Sequence, residues 1–172
     1  MKKILPILLI ALSLIYVSSC EKDDICVDGD TPLIVIGFYD ATDTTVFKSV
    51  PSIRIKGIDN DSILETDSFS DRSSSPDSLS IPLRIDGIST TYEFITDSDD
   101  DETNMEETGN RDTLSFSYTV SEQFTSKACG FVANYNTVTL GLTSDGTNWI
   151  QDITVIQDTI ENSNNIHVKI FH

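Results

Sequence analysis

The chain has 172 residues with 28 acidic against 11 basic side chains, a formal net charge of −17. Such a surface repels phosphate backbones and anionic lipid, so nucleic-acid binding and adhesion to membranes by charge are disfavoured, while cations, basic partners and solubility are favoured. The length suits one domain with a proper core and leaves little room for two.

The first element is a secretory signal over residues 1–19. Lys2 and Lys3 precede a run from Ile4 to Val17 that carries no charge, the basic start and apolar middle of an export sequence. Fourteen residues interrupted by Pro6 fall short of the roughly 20 that span a bilayer as a helix. Val17-Ser18-Ser19-Cys20 resembles the lipobox of bacterial lipoproteins, in which the cysteine is acylated and becomes the new N-terminus. The alternative is ordinary cleavage that leaves Cys20 as a thiol. Lys22-Asp23-Asp24, directly behind, resembles the surface-export signal of Bacteroidetes lipoproteins, although a charged tether beside a membrane would read the same way. Residues 20–31 are thus expected to be an acylated cysteine and acidic tether. Losing residues 1–19, with Lys2 and Lys3 and no acid, takes 172 residues and −17 to 153 residues and −19. If Cys20 is acylated, Cys26 and Cys129 remain as an even pair, which an oxidising compartment favours as a disulfide. Two unpaired, buried cysteines are the alternative.

From residue 32 to 172 the pattern is all-β. Strands are expected at 33–39, 52–57, 79–85, 92–96, 114–120, 131–135, 138–142, 149–156 and 166–171. The alternation of Leu79, Ile81, Leu83 and Ile85, and of Leu114, Phe116, Tyr118 and Val120, with polar neighbours marks half-buried strands. The turn-forming residues 144–148 between two such runs predict a hairpin. Pro82 predicts an edge or a bulge, because it cannot donate to a ladder. Strands at this spacing with no helix between them predict an antiparallel β-sandwich of immunoglobulin-like architecture. The antibody signature is missing, since Trp149 follows Cys129. Residues 67–80 and 97–110 read as mobile polar loops.

Several blocks together carry a family resemblance: CEKDDICVDGDTP from Cys20, FYDATDTT from Phe38, DSFSDRSS from Asp67, ACGFVANY from Ala128, NWIQDITV from Asn148 and the closing HVKIFH. They resemble an uncharacterised family of Bacteroidetes lipoproteins with a domain of unknown function. The resemblance implies an envelope lipoprotein working beside an outer-membrane β-barrel protein, and it implies no catalytic residues.

Candidate chemistry is sparse. Asp97, Asp99 and Asp101 lie in a dense acidic run that could wrap calcium, but an EF-hand loop begun at Asp97 meets Glu102 where glycine is required and Thr108 where a carboxylate is required. A solvated acidic loop fits better, and no cofactor is expected. His167 and His172 are the only imidazoles; they are expected on opposite faces of the last strand, with His167 at the surface. No nucleophile elbow or free thiol accompanies them. Two carboxylates suffice for a glycosidase, so a hydrolase stays open as the third reading. Trp149, Tyr92, Tyr118 and Tyr135 form either an aromatic platform or part of the core. The leading expectation is a non-enzymatic accessory or binding protein, lipid-anchored in the outer membrane, with Lys22-Asp23-Asp24 pointing to the cell surface; the alternative is a surface module that binds carbohydrate or host components.

Overall fold

The computed structural model describes residues 30–58, 62–66, 69–73 and 77–172. The signal sequence, Cys20, Lys22, Asp23, Asp24 and Cys26 lie outside the described residues. Within them, all regular structure is β: β1 (Ile34–Tyr39), β2 (Arg54–Gly57), β3 (Ser62–Ile63), β4 (Ser78–Ile81), β5 (Ser89–Thr96), β6 (Asn110–Ser126), β7 (Gly130–Leu142), β8 (Asp152–Val155) and β9 (Val168–Phe171). They form a four-stranded sheet in the order β4-β1-β9-β8 and a five-stranded sheet in the order β3-β2-β5-β6-β7.

One apolar cluster joins the two sheets. Ile34, Ile36 and Phe38 of β1, Leu79 and Ile81 of β4, and Val168 and Ile170 of β9 pack with Ile55 of β2, Phe94 of β5, and Leu114 and Phe116 of β6. The period of two on β4 and β6 is the consequence of those strands having one inward face; β1 is buried along its whole length. The arrangement is consistent with a β-sandwich.

The topology departs from expectation in three places. Every pairing is antiparallel except β1 with β9, which run parallel with Ile36 opposite Val168. A parallel neighbour needs a long crossover, and here the crossover holds the whole second sheet together with β4 and β8. Second, β7 is one continuous strand and makes no hairpin with β8, which joins the other sheet beside β9. Asp112, 1% exposed in β6, diverts the chain between them: its carboxylate accepts the Ile150 N–H at 2.7 Å and the Asn148 side-chain amide at 2.9 Å. Third, the strand expected over 79–85 ends at Ile81; β4 is an edge of its sheet, as Pro82 led one to expect, since a missing donor does no harm there.

The segment after β4 ties the sheets together. Tyr92 of β5 donates its hydroxyl to the Pro82 carbonyl at 2.8 Å, Tyr135 of β7 to that of Leu83 at 2.7 Å, and Tyr118 of β6 to that of Arg84 at 2.8 Å. The Arg84 N–H donates to Thr90 Oγ1, which lies 2.5 Å from the Tyr118 oxygen. Because the Tyr118 proton is directed at Arg84, the threonine proton goes to Tyr118 and the ring closes. All three tyrosines are buried, so the four aromatics do not form an exposed platform. Burial pushes the phenols of Tyr92 and Tyr135 up to about 12.

Replacing Tyr135 with Phe leaves the buried Leu83 carbonyl without this donor and should cost about 1–3 kcal/mol in urea unfolding at pH 7. Since the folded-state phenols ionise above their ordinary value of 10, stability is full below pH 10 and is lost as pH rises toward 12. Phenolate absorbance followed alongside unfolding checks this.

Candidate functional site

Three regions bring chemistry-bearing side chains together: an arginine–carboxylate network, the imidazoles at the end of the chain, and a projecting arm.

The network builds on Arg54, which faces outward from β2 because its neighbours Ile53 and Ile55 face the core. Its Nε donates to Asp71 at 2.9 Å, with a second bond from Nη2 to the same carboxylate, and its Nη1 donates to Glu107 at 2.9 Å. Arg72 grips Asp100 through both terminal nitrogens and donates from Nε to Ser98 at 3.0 Å. The hydrogen bond from Arg54 holds Asp71 below its ordinary carboxylate range, and that from Arg72 does the same for Asp100. Burial pushes Glu107 up, but the Gly109 N–H, the Ser98 hydroxyl, the Asp99 N–H and the charge of Arg54 together leave it lowered.

This network corrects the expectation of a mobile acidic loop. Residues 97–109 form a folded excursion in which Asp100 bridges Glu107, the Thr108 N–H donates to the Asp99 carbonyl, and Asp101 accepts the Thr103 and Asn104 N–H groups in a side-chain turn. Gly109 seats it against the sheet: a Cβ there would lie 2.6 Å from both Ile95 Cγ2 and the Thr96 carbonyl. The loop's carboxylates therefore satisfy backbone donors and arginines. Asp97, Asp99 and Asp101 do not converge, and among the described residues no group of three acidic, histidine or cysteine side chains stands close enough to hold a metal ion.

His167 is 1% exposed, which corrects its expected place at the strand surface. It precedes β9, and both polar groups of Val35 go to it: the Val35 N–H donates to Nδ1 at 3.0 Å, and the His167 N–H donates to the Val35 carbonyl at 2.8 Å. An accepting Nδ1 requires the proton on Nε2. Burial pulls the imidazole below its ordinary value of 6.5, against a hydrogen bond to the Asn162 backbone. His172 is half-buried, 5.5 Å from the Trp149 ring centroid. Trp149 donates its indole N–H to the Phe94 carbonyl at 3.1 Å.

The arm comes from β6 and β7. β5 pairs with β6 only as far as Ser117, and a bulge follows between Ser117 and Thr119 with Thr137 opposite at φ 54°. Such a bulge bends and twists the ribbon. Beyond it the two strands have each other as partners, apart from a bridge from Tyr135 to Ile160. Cys129 sits half-buried in the connecting turn, its N–H donating to Ser126 Oγ. Two clefts are also present. One of about 500 Å³ is lined by Ser62, Leu64, Glu65, Arg84, Thr91 and Tyr92; another of about 200 Å³ lies beside Arg54, Lys56 and Arg111.

Asp112 and the Arg54–Arg72 network were not singled out in the sequence. Asp112 had a signal, because it extends inward-facing Leu114, Phe116 and Tyr118 by one step. The network had none, since its arginines lie 17 to 53 residues from the carboxylates they bond.

Replacing Arg54 with Met leaves Glu107 and Asp71 without their cation and should cost about 2 kcal/mol at pH 7. Lowered carboxylates stabilise above their unfolded values of 3.8 and 4.5 and lose that contribution as pH falls through the folded ones, so the difference from wild type should shrink below pH 4 in denaturant titrations. For His167 the window is higher. Its neutral form stabilises fully above 6.5, and stability falls as pH drops from there toward the folded-state value. Wild type should lose more stability between pH 7.5 and 5 than a His167→Gln variant does.

Compared with known proteins, residues 52–172 match the model of a family of unknown function, DUF6452. No curated protein and no solved structure matches the chain. The matched span holds β2 to β9, the network, the arm and the buried histidine, and on it the chain belongs to the family of unknown function DUF6452.

Proposed function

We propose that the protein is a cell-envelope lipoprotein, acylated at Cys20 and held at the outer membrane, that serves as a non-enzymatic accessory or binding domain for another envelope protein. The observation that carries this reading is the sequence boundary at Cys20, where an uncharged run behind two lysines ends in Val17-Ser18-Ser19-Cys20. Two or three acyl chains on one residue hold a soluble domain stably at a bilayer, at about 0.8 kcal/mol per buried methylene. Lys22, Asp23 and Asp24 support export to the cell surface, and the partner class proposed is an outer-membrane β-barrel protein. A disulfide between Cys26 and Cys129 belongs to the same reading. It is supported by Cys129 being disulfide-bonded in a chain whose other cysteines are Cys20 and Cys26. The immunoglobulin-like comparison extends to two packed β-layers, because the strand order differs from the ABED and CFG sheets of such domains.

A second reading, a surface module for carbohydrate or host components, is favoured by the cleft of about 500 Å³, whose lining mixes Arg84, Glu65 and Ser62 with Tyr92 and Leu64. A few polar groups on an apolar wall are the usual makeup of a small-ligand site.

Crosslinking and affinity recovery from intact cells carrying a tagged copy separates the readings. Recovery of a β-barrel protein with the wild type, and its loss with Cys20→Ala, is the expected result. An anchored, surface-accessible domain that recovers no protein partner overturns the accessory reading in favour of glycan binding.

A further inference from the structure

We propose that the tip of the β6–β7 arm is the membrane-facing end of the domain, with Phe124 and Phe131 seated in the headgroup layer of the bilayer that holds the lipid on Cys20. The inference rests on the proposed acylation of Cys20 and the proposed Cys26–Cys129 disulfide.

Geometry is the first support. Past Ser117 the arm leaves β5 behind; Tyr135, Asn134 and Ala133, opposite Val120, Ser121 and Glu122, are still buried, so the free end runs from Gln123 to Val132. Residues 121–125 are all exposed. Near its end Phe124 and Phe131 face each other across the ladder, 56% and 67% exposed, their rings edge-to-face at 5.4 Å. Two aromatic rings held clear of the core on a ribbon are the shape that enters a membrane interface with little reorganisation, because the apolar surface is presented in advance.

Charge is the second. From Gln123 to Ser144 there is no Asp or Glu, and Lys127 is the one ionised side chain, in a chain that carries 28 acids. An anionic bilayer surface repels the acidic loops at 97–109 and attracts a lysine. Glu122, the arm's one acid, pairs with Ala133 behind the rings, and the tip beyond it meets such a surface with Lys127 as its charge.

Covalent reach is the third. Cys20 and Cys26 are six residues apart, so the chain between them spans at most about 22 Å in any conformation. With Cys26 bonded to Cys129 in the arm's turn, the acyl chains cannot lie farther than that from the tip, apart from the short disulfide link. The anchor and the exposed rings are thereby constrained to the same end of the domain. A soluble protein partner or a second copy would equally cover two phenylalanines, but neither accounts for the lipid being tied to the same turn.

The test uses the full acylated protein in vesicles of phosphatidylcholine and phosphatidylglycerol, with and without acyl-chain bromination. A Phe131→Trp variant adds an emitter at the tip, while Trp149, bonded to Phe94 beside the start of β6 at the other end of that strand, serves as the internal reference in wild type. Brominated lipid should quench at least half of the added emission and leave wild-type emission unchanged. Phe124→Trp, on the facing strand, should give the same result and guards against one variant that folds poorly. Equal emission in both vesicle types, from protein that floats with the vesicles, overturns the proposal while the anchor reading stands. Sedimentation that shows dimers lost on Phe124→Ser, with no quenching, assigns the tip to a second copy instead. Mass spectrometry of the N-terminal peptide and a non-reducing peptide map check the premises separately: an unacylated Cys20 removes the anchor reading and the proposal with it, whereas an acylated Cys20 with no 26–129 crosslink overturns the proposal and leaves the anchor reading standing.

Discussion

Three consecutive carbonyls, on Pro82, Leu83 and Arg84, lie where the chain leaves the edge strand of one sheet and crosses to the other. A buried carbonyl without a donor costs as much as a lost hydrogen bond. Here each is answered by a tyrosine hydroxyl from a different strand of the second sheet. The rings fill the space between the layers and the hydroxyls satisfy the crossing. Apolar packing alone would hold the sheets together without fixing their relative position, because it is non-directional; three directed bonds to successive residues set it.

The same logic governs the charged groups. A chain with formal charge −17 repels itself when compact, and part of that repulsion is relieved by assigning carboxylates to internal tasks. Glu107 collects two backbone N–H groups, a serine and an arginine, Asp101 closes a turn, and Asp112 redirects the chain between layers. His167 plays the corresponding part at the parallel junction, where its ring takes the place of the next backbone acceptor beside β1. These groups look catalytic in a sequence because they are titratable, and their geometry instead makes them structural joints.

The charge that is neutralised inside leaves a surface of uneven character. Acid concentrates in the loops, whereas the β6–β7 arm has a single lysine between Gln123 and Ser144 and carries its aromatic pair in the open. In the proposed anchored protein, the tip of the arm beyond Glu122 is the surface that suits a nearby bilayer.

The sequence by itself determined the strands and the side chains that face inward, because a period of two is imposed by the pleat and needs no knowledge of partners. Leu114, Phe116 and Tyr118 on β6, and Leu79 and Ile81 on β4, were legible for that reason. The change from apolar to charged residues at Cys20 is likewise local, and the acylation proposed there is read from the sequence alone. What only the tertiary structure decided was pairing: the parallel contact of β1 with β9, the move of β8 into the opposite sheet, the fate of His167, and the meeting of Arg54 with Glu107. Each depends on residues that are far apart in the chain and are joined by hydrogen bonds whose partners no local pattern names, since a donor is indifferent to the sequence distance of its acceptor.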